Sequence, residues 1–426
     1  MATVVLVGTL DTKGVEYAYL RDRVREHGAE TILVDAGIVG EPQIQPDVSR
    51  EEVAQAAGAD VHALAEAGDR GVAVETMARG AAAIATRLHA EGRLDAILGL
   101  GGSGGSALVT YAMRQLPVGV PKLMVSTVAS GDTRPYVGAV DVAMMYSVVD
   151  IAGINQISEC ILSNAAGAAA GMAKAYSAGT GRAAQRARPL VGATMFGVTT
   201  PCVTTARERL EELGYEVLVF HATGTGGQSM EALAKGGFIT ATLDITTTEL
   251  ADELVGGVLS AGPDRLETAG ELGIPQVVSL GALDMVNFGP AETVPERFEG
   301  RLLYKHNPTI TLMRTTPDEC AELGRTIARK LNAATGPTAL YIPLRGVSLI
   351  ATEGQVFYDP AADEALIGAL RENLGPAVEV HELDLDINDP EFALAMADRL
   401  HEMVVGAGLA PPVVGARHAS PEKERP

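Results

Sequence analysis

Short apolar runs that end in glycine-rich or polar turns recur along the chain, separated by longer stretches with apolar residues at helical spacing. Residues 3–7 read as a buried strand, and the turn after it leads into a helix over 15–27 whose inner face is Tyr17, Leu20 and Val24. Gly28 stops that helix, and a second strand over 30–34 delivers Asp35 at its carboxyl end. Residues 37–71 carry Pro42, Pro46 and the capping-box pattern of Ser49 and Glu52, so they read as an insertion with short helices. An alanine-rich helix over 72–92 then feeds a strand over 94–100, a glycine run, and a helix from Ala107.

Further strands are expected over 121–126 and 140–146, followed by a small-residue helix over 155–176. Residues 177–189 are polar and aperiodic, the mark of a boundary. The second half restarts with a strand over 189–194, a helix over 202–213 and a strand over 216–220, then strands over 238–243, 276–279, 309–313, 338–342 and 378–381. The helix stop and strand over 25–35 recur in the same register over 211–221, the pattern of a repeated βαβ unit. The alternation predicts an α/β protein of two Rossmann-like lobes, with mainly parallel sheets and helices on both faces. The lobes are expected at residues 1–185 and 186–410, with a Pro-rich, charged and disordered tail over 411–426.

Composition narrows the function. The net charge of −21, the absence of Trp and the lack of a basic cluster argue against a nucleic-acid partner. No apolar run has the length of a membrane span, and the first residues lack a signal peptide's basic start. Cys160, Cys202 and Cys320 are too scattered for a disulfide framework, so the cytoplasm is the expected compartment.

The chemistry is carried by turns at strand ends. Gly101, Gly102, Ser103, Gly104 and Gly105 stand where backbone N–H groups at a helix start can hold an anion, although the run fits neither common phosphate-loop pattern. Thr9, Asp11, Thr12 and Lys13 follow the first strand: a lysine for phosphate and an aspartate for a divalent cation, or else a capped turn. Asp35 occupies the place of a ribose-binding acid. Ser130, Gly131, Asp132, Thr133 and Arg134 offer metal and phosphate contacts, or a local salt-bridged turn. His221 with Thr223, Gly224, Thr225, Gly226, Gln228 and Ser229 is a second anion-cradle candidate; Glu353 and Cys202, the latter at a helix start, are weaker ones. No catalytic triad or metal-ligand spacing is present, so catalytic candidates stop at Asp11, Asp132, Arg134 and His221, and metal candidates at Asp11 and Asp132.

Taken together, Gly8-Thr9-Leu10-Asp11-Thr12-Lys13-Gly14, the run from Gly99 to Gly105, Ser130-Gly131-Asp132-Thr133-Arg134, the segment from Ser147 to Asn155, and His221-Ala222-Thr223-Gly224-Thr225-Gly226-Gly227-Gln228 resemble a bacterial and fungal family. That family is related to the N-terminal ATP-binding domain of the tomato mosaic virus resistance protein. The resemblance spans nearly the whole chain. It implies a two-lobed module that binds ATP, with Mg²⁺, and forms a homodimer. In the plant protein a barrel domain follows this module; here the chain ends before one, which leaves room for a separately encoded barrel partner. The expected function is therefore nucleotide binding in a cleft between the lobes, with phosphoryl transfer or hydrolysis open. An NAD(P)- or sugar-phosphate-dependent enzyme and a non-catalytic nucleotide-gated subunit are the alternatives.

Overall fold

In the computed structural model, residues 1–179 and 188–409 are described. The chain divides into two compact units, residues 1–185 and 186–426. The central part of the expected boundary and all of the expected tail fall outside the described residues.

The first unit runs β1 (Thr3–Gly8), α1 (Leu10–Glu26), β2 (Glu30–Asp35), α2 (Arg50–Ala56), α3 (Val61–Ala67), α4 (Arg70–Ala90), β3 (Ala96–Gly101), α5 (Ser103–Arg114), β4 (Lys122–Ser126), α6 (Arg134–Val137), β5 (Val142–Tyr146) and α7 (Gln156–Ser177). Its five strands are all parallel, in the order β2-β1-β3-β4-β5. Alternate residues of β1 explain why helices cover both faces. Val5 and Val7 pack with Met77, Ala81 and Ile84 of α4 and Val109 of α5. Val4 and Leu6 pack instead with Tyr17 and Leu20 of α1 and Ala165 and Ala169 of α7. Each such fully buried aliphatic side chain contributes roughly 1.5–3 kcal/mol, which is why the sheet has no wet face.

The second unit runs β6 (Leu190–Met195), α8 (Thr200–Glu212), β7 (Glu216–His221), α9 (Thr225–Lys235), β8 (Ala241–Thr246), α10 (Glu249–Val255), α11 (Thr268–Leu272), β9 (Gln276–Gly281), β10 (Met285–Phe288), β11 (Leu303–Asn307), β12 (Ile310–Arg314), α12 (Pro317–Asn332), β13 (Thr338–Pro343), α13 (Pro360–Asn373), β14 (Glu379–Leu383) and α14 (Pro390–Gly406). Six parallel strands take the order β7-β6-β8-β9-β13-β14, the first unit's winding with one strand added. Both units are thus α/β with mainly parallel sheets, the fold class read from the sequence.

Three local expectations need correction. The strand expected over 309–313 is not in the parallel sheet: β12 pairs antiparallel with β10 and β11 in a small sheet of its own. Helix α1 starts at Leu10, five residues early, which places Asp11, Thr12 and Lys13 in its first turn with Lys13 off helical geometry at φ −127°. Helix α5 begins at Ser103, inside the glycine run instead of after it. That shift matters most, because it converts a loop into the open end of a helix. Ser49 and Glu52 do form the expected capping box on α2.

Candidate functional site

In a doubly wound sheet the crevice opens where the strand order reverses, at the carboxyl ends of the two strands that diverge there. In the first unit those strands are β1 and β3. A cavity of about 660 Å³ occupies this position, between the turn after β1, the start of α4 and the start of α5. Thr9, Asp11, Thr12 and Lys13 line one side, and Gly101, Gly102, Ser103, Gly104 and Gly105 line another. Ile38, Leu64, Val74 and Leu108 supply an apolar wall.

The glycine side is built to present donors. Gly102 is the N-cap of α5 and provides no side-chain capping bond, so the first-turn N–H groups have no internal partner. Glycine at 101 lets the end of β3 come close to the first turn of α5: a Cβ there would lie 3.0 Å from the Gly105 Cα, closer than ordinary packing. The helix N-terminus carries partial positive charge into the same space.

Two cations stand beside it. Lys13 lines the cavity, and its Nζ donates to the carbonyl of Ile151, tying the β1–α1 turn to the segment after β5. Arg70, at the first position of α4, lines the cavity with its guanidinium close to Gly104, where Nη2 lies 3.5 Å from the place a Cβ would take. Arg70 escaped the sequence reading, although a basic residue at a helix start, facing the positive end of the dipole, is the same signal read at Lys13.

The acidic residues divide differently from expectation. Asp11 does not cap α1; its Oδ2 accepts from the N–H groups of Val39 (2.8 Å) and Gly40 (3.2 Å), and its buried Oδ1 has no partner. Asp150 joins it on the cavity wall. Asp35, placed at a ribose by the sequence, is fully buried and off the cavity lining. Its Oδ1 accepts from Leu10 and Gly37 N–H, and burial raises its pKa above the usual carboxylate range. It therefore fixes the ends of β1 and β2.

Ser130, Gly131, Asp132, Thr133 and Arg134 also lie off the cavity lining. Arg134 donates Nε and Nη2 to the two Asp132 oxygens at 2.9 and 2.8 Å, and this exposed pairing holds the Asp132 carboxyl down at about 2. The salt-bridged turn is what forms, and Asp132 and Arg134 pair with each other away from the cavity.

The second unit corrects the other cradle. At the start of α9 the N–H groups of Gly224 and Gly227 do hold an anion, but it is the protein's own: Glu249 Oε1 accepts from both, at 2.7 and 3.0 Å. Glu249 and Arg265 are both buried, with Arg265 Nε donating to Glu249 Oε2 at 2.6 Å and Nη2 to Asp244 Oδ1 at 2.7 Å. A Cβ at Gly227 would fall 2.2 Å from Glu249 Oε2, so glycine is required by the internal carboxylate. Thr223, Thr225, Gly226, Gln228 and Ser229 therefore surround a filled site. His221 is exposed, edge-on to Phe196 with 6.1 Å between ring centres. Cys202 is buried, and burial pushes its thiol pKa up, the opposite of a reactive thiolate.

Among the described residues no group of three or more His, Cys, Asp or Glu side chains is placed to hold a metal ion, and no helix is long and apolar enough to cross a membrane.

Residues 2–178 match the N-terminal domain of the Uncharacterised protein family (UPF0261), and residues 188–404 match its C-terminal domain. A UPF0261 protein of Clostridium tetani is 55% identical over 402 residues, covering 94% of this chain and 98% of that one. The ToMV resistance protein Tm-1(GCR237) of Solanum lycopersicum is 42% identical over 424 residues, covering 94% of this chain but 55% of the tomato protein. Among solved structures, a UDP-N-acetylglucosamine 2-epimerase from Rickettsia bellii aligns over 95% of this chain and 96% of that one, at 10% identity and a TM-score of 0.23. The relatedness inferred from the turn motifs is thus borne out in both units: the chain belongs to the UPF0261 family.

Proposed function

We propose that the first unit binds a nucleotide through its phosphates, ATP being the nucleotide that the family resemblance implies. The observation that carries this reading is the uncapped first turn of α5, open to a cavity of about 660 Å³ with Arg70 and Lys13 on its walls. Free N–H groups, a helix dipole and two cations together favour a polyphosphate. The aliphatic wall of Ile38, Leu64, Val74 and Leu108 suits the base.

Magnesium fits as a companion of the phosphates. Mg²⁺ is commonly held by one or two carboxylates plus phosphate oxygens and waters, and Asp11 has an unpartnered buried oxygen, with Asp150 on the same cavity wall. Bound there, the ion would neutralise phosphate charge. The chain's own residues bind and orient: N–H groups at Ser103, Gly104 and Gly105 hold oxygens, and Arg70 pairs with them. The homodimer and the barrel partner stay within this proposal on the strength of the resemblance, and the cytoplasmic setting on that of the scattered cysteines.

Isothermal titration of the full chain with MgATP, and in parallel with NAD⁺, tests the reading. Saturable binding of MgATP that weakens in Gly101→Val supports it. Absence of binding by folded protein, or a preference for NAD⁺, contradicts it.

A further inference from the structure

Alongside the cavity lies a second, more open groove of about 600 Å³. It shares Arg70, Val74, Ser103 and Gly104 with the cavity, so the first turn of α5 is a wall common to both. Its far end is formed by Tyr111 and Arg114.

The protein has 54 acidic residues against 33 basic ones, and most described arginines stand in ion pairs, as Arg50, Arg79, Arg209, Arg265 and Arg399 do. Among the described residues Arg70 and Arg114 stand in none, and both line this groove. Arg114 is held in place through one nitrogen: Nη1 donates to the carbonyls of Pro135 (2.7 Å) and Tyr136 (2.8 Å). Its guanidinium carbon lies 5.9 Å from the centre of the Tyr111 ring. Nε and Nη2 thus remain as a planar pair of donors without a carboxylate among the described residues. The one acid on the groove wall, Glu75, already accepts from Arg79 Nη1 at 2.8 Å. Val74, Ala78 and Ala107 give the groove an apolar floor between its two cations.

We infer that this groove is a second ligand site, for a small organic carboxylate bound between Arg70 and Arg114. Planar guanidinium forks match a carboxylate, and the methyl-lined floor with an aromatic ring at one end suits an organic body. The inference goes beyond nucleotide binding and does not depend on it.

The test uses the full chain without nucleotide, titrated with acetate, succinate and phenylacetate, with phenylacetamide as the neutral counterpart and inorganic phosphate as the competing anion. At least one carboxylate is expected to bind where phenylacetamide does not. Arg114→Gln is expected to weaken that binding tenfold or more. Ala107→Glu, which removes no hydrogen bond and places a negative charge on the floor, is expected to do the same, so a folding defect at Arg114 cannot mimic the result. MgATP affinity is expected to be unchanged in Arg114→Gln. Failure of all three carboxylates, equal binding of phenylacetate and phenylacetamide, or phosphate binding more tightly than any carboxylate would overturn the inference. So would a matching loss of MgATP affinity in Arg114→Gln, because the groove would then belong to the nucleotide. Carboxylate binding without MgATP binding would sink the nucleotide reading alone.

Discussion

Two glycine-rich helix starts look alike as sequence and differ in what they hold. At α5 the N–H groups of the first turn open into a cavity with Arg70 and Lys13 beside it. At α9 the groups of Gly224 and Gly227 close on the carboxylate of Glu249, itself locked by Arg265. Glycine density at a helix start therefore reports that an anion is wanted. Whether the anion is a ligand or a side chain is decided by residues elsewhere: Glu249 lies 25 positions from Gly224 and 22 from Gly227.

The sharpest way to break the contrast is to empty the filled site. Glu249→Ala leaves the Arg265 charge short of a buried partner and two N–H groups unmet, and is expected to destabilise the protein by ~3–5 kcal/mol in urea unfolding. A loss under ~1 kcal/mol would show that the internal carboxylate is not what the cradle is built around.

Removing a cation from the open site should act on the ligand and not on the fold. Arg70→Ala is expected to weaken MgATP binding by ~1.5–3 kcal/mol, roughly tenfold to a hundredfold, while the unfolding midpoint stays within experimental error. Titration calorimetry and thermal melts on one preparation check both halves.

The buried acids of the second unit give the next effect. In the second unit burial pushes Asp252 up to about 7 and Asp284 up to about 6, despite hydrogen bonds from Asn287 and Ser348 that favour the charged forms. Both carboxyls hold protons in the folded state that the unfolded chain has released, so their contribution is complete below about pH 4. It is lost as pH rises through about 6 to 7. Hydrogen exchange at β9 is expected to speed up across that window beyond its intrinsic pH dependence, and Asp284→Asn to flatten the lower part of the trend. A second unit most stable at pH 8 would contradict this.

The smallest effect is expected at the turn that the sequence made prominent. Asp132→Ala breaks only an exposed pair, so neither MgATP affinity nor the melting temperature should move measurably.

The pattern of strands and helices was legible because the central strands β1, β3, β8, β9 and β13 are buried on both faces and the long helices on one, which imposes periodicities of their own. The antiparallel sheet of β10, β11 and β12 was not, since its pairing joins Met285 to Arg314 across an irregular segment. Among the residues that line the cavity, Thr9, Asp11, Thr12, Lys13 and the run from Gly101 to Gly105 stand out in the sequence because they are contiguous at strand ends. Arg70 was missed although it carries the helix-start signal read at Lys13, because only the packing of α4 on α5 sets it beside Gly104. Asp35 misled for the converse reason: an aspartate at a strand end serves a ribose or its own backbone equally well, and here Leu10 and Gly37 claim it.

The central claim is that one helix start in this chain is open to phosphate and the other is closed. Amide chemical shifts of glycine-labelled protein, followed through a MgATP titration, test it most directly. The account predicts one nucleotide per chain, with the signals of Gly102, Gly104 and Gly105 moving saturably while those of Gly224 and Gly227 stay in place. Movement of the Gly224 and Gly227 signals with the first set unmoved, or two nucleotides bound per chain, would contradict it.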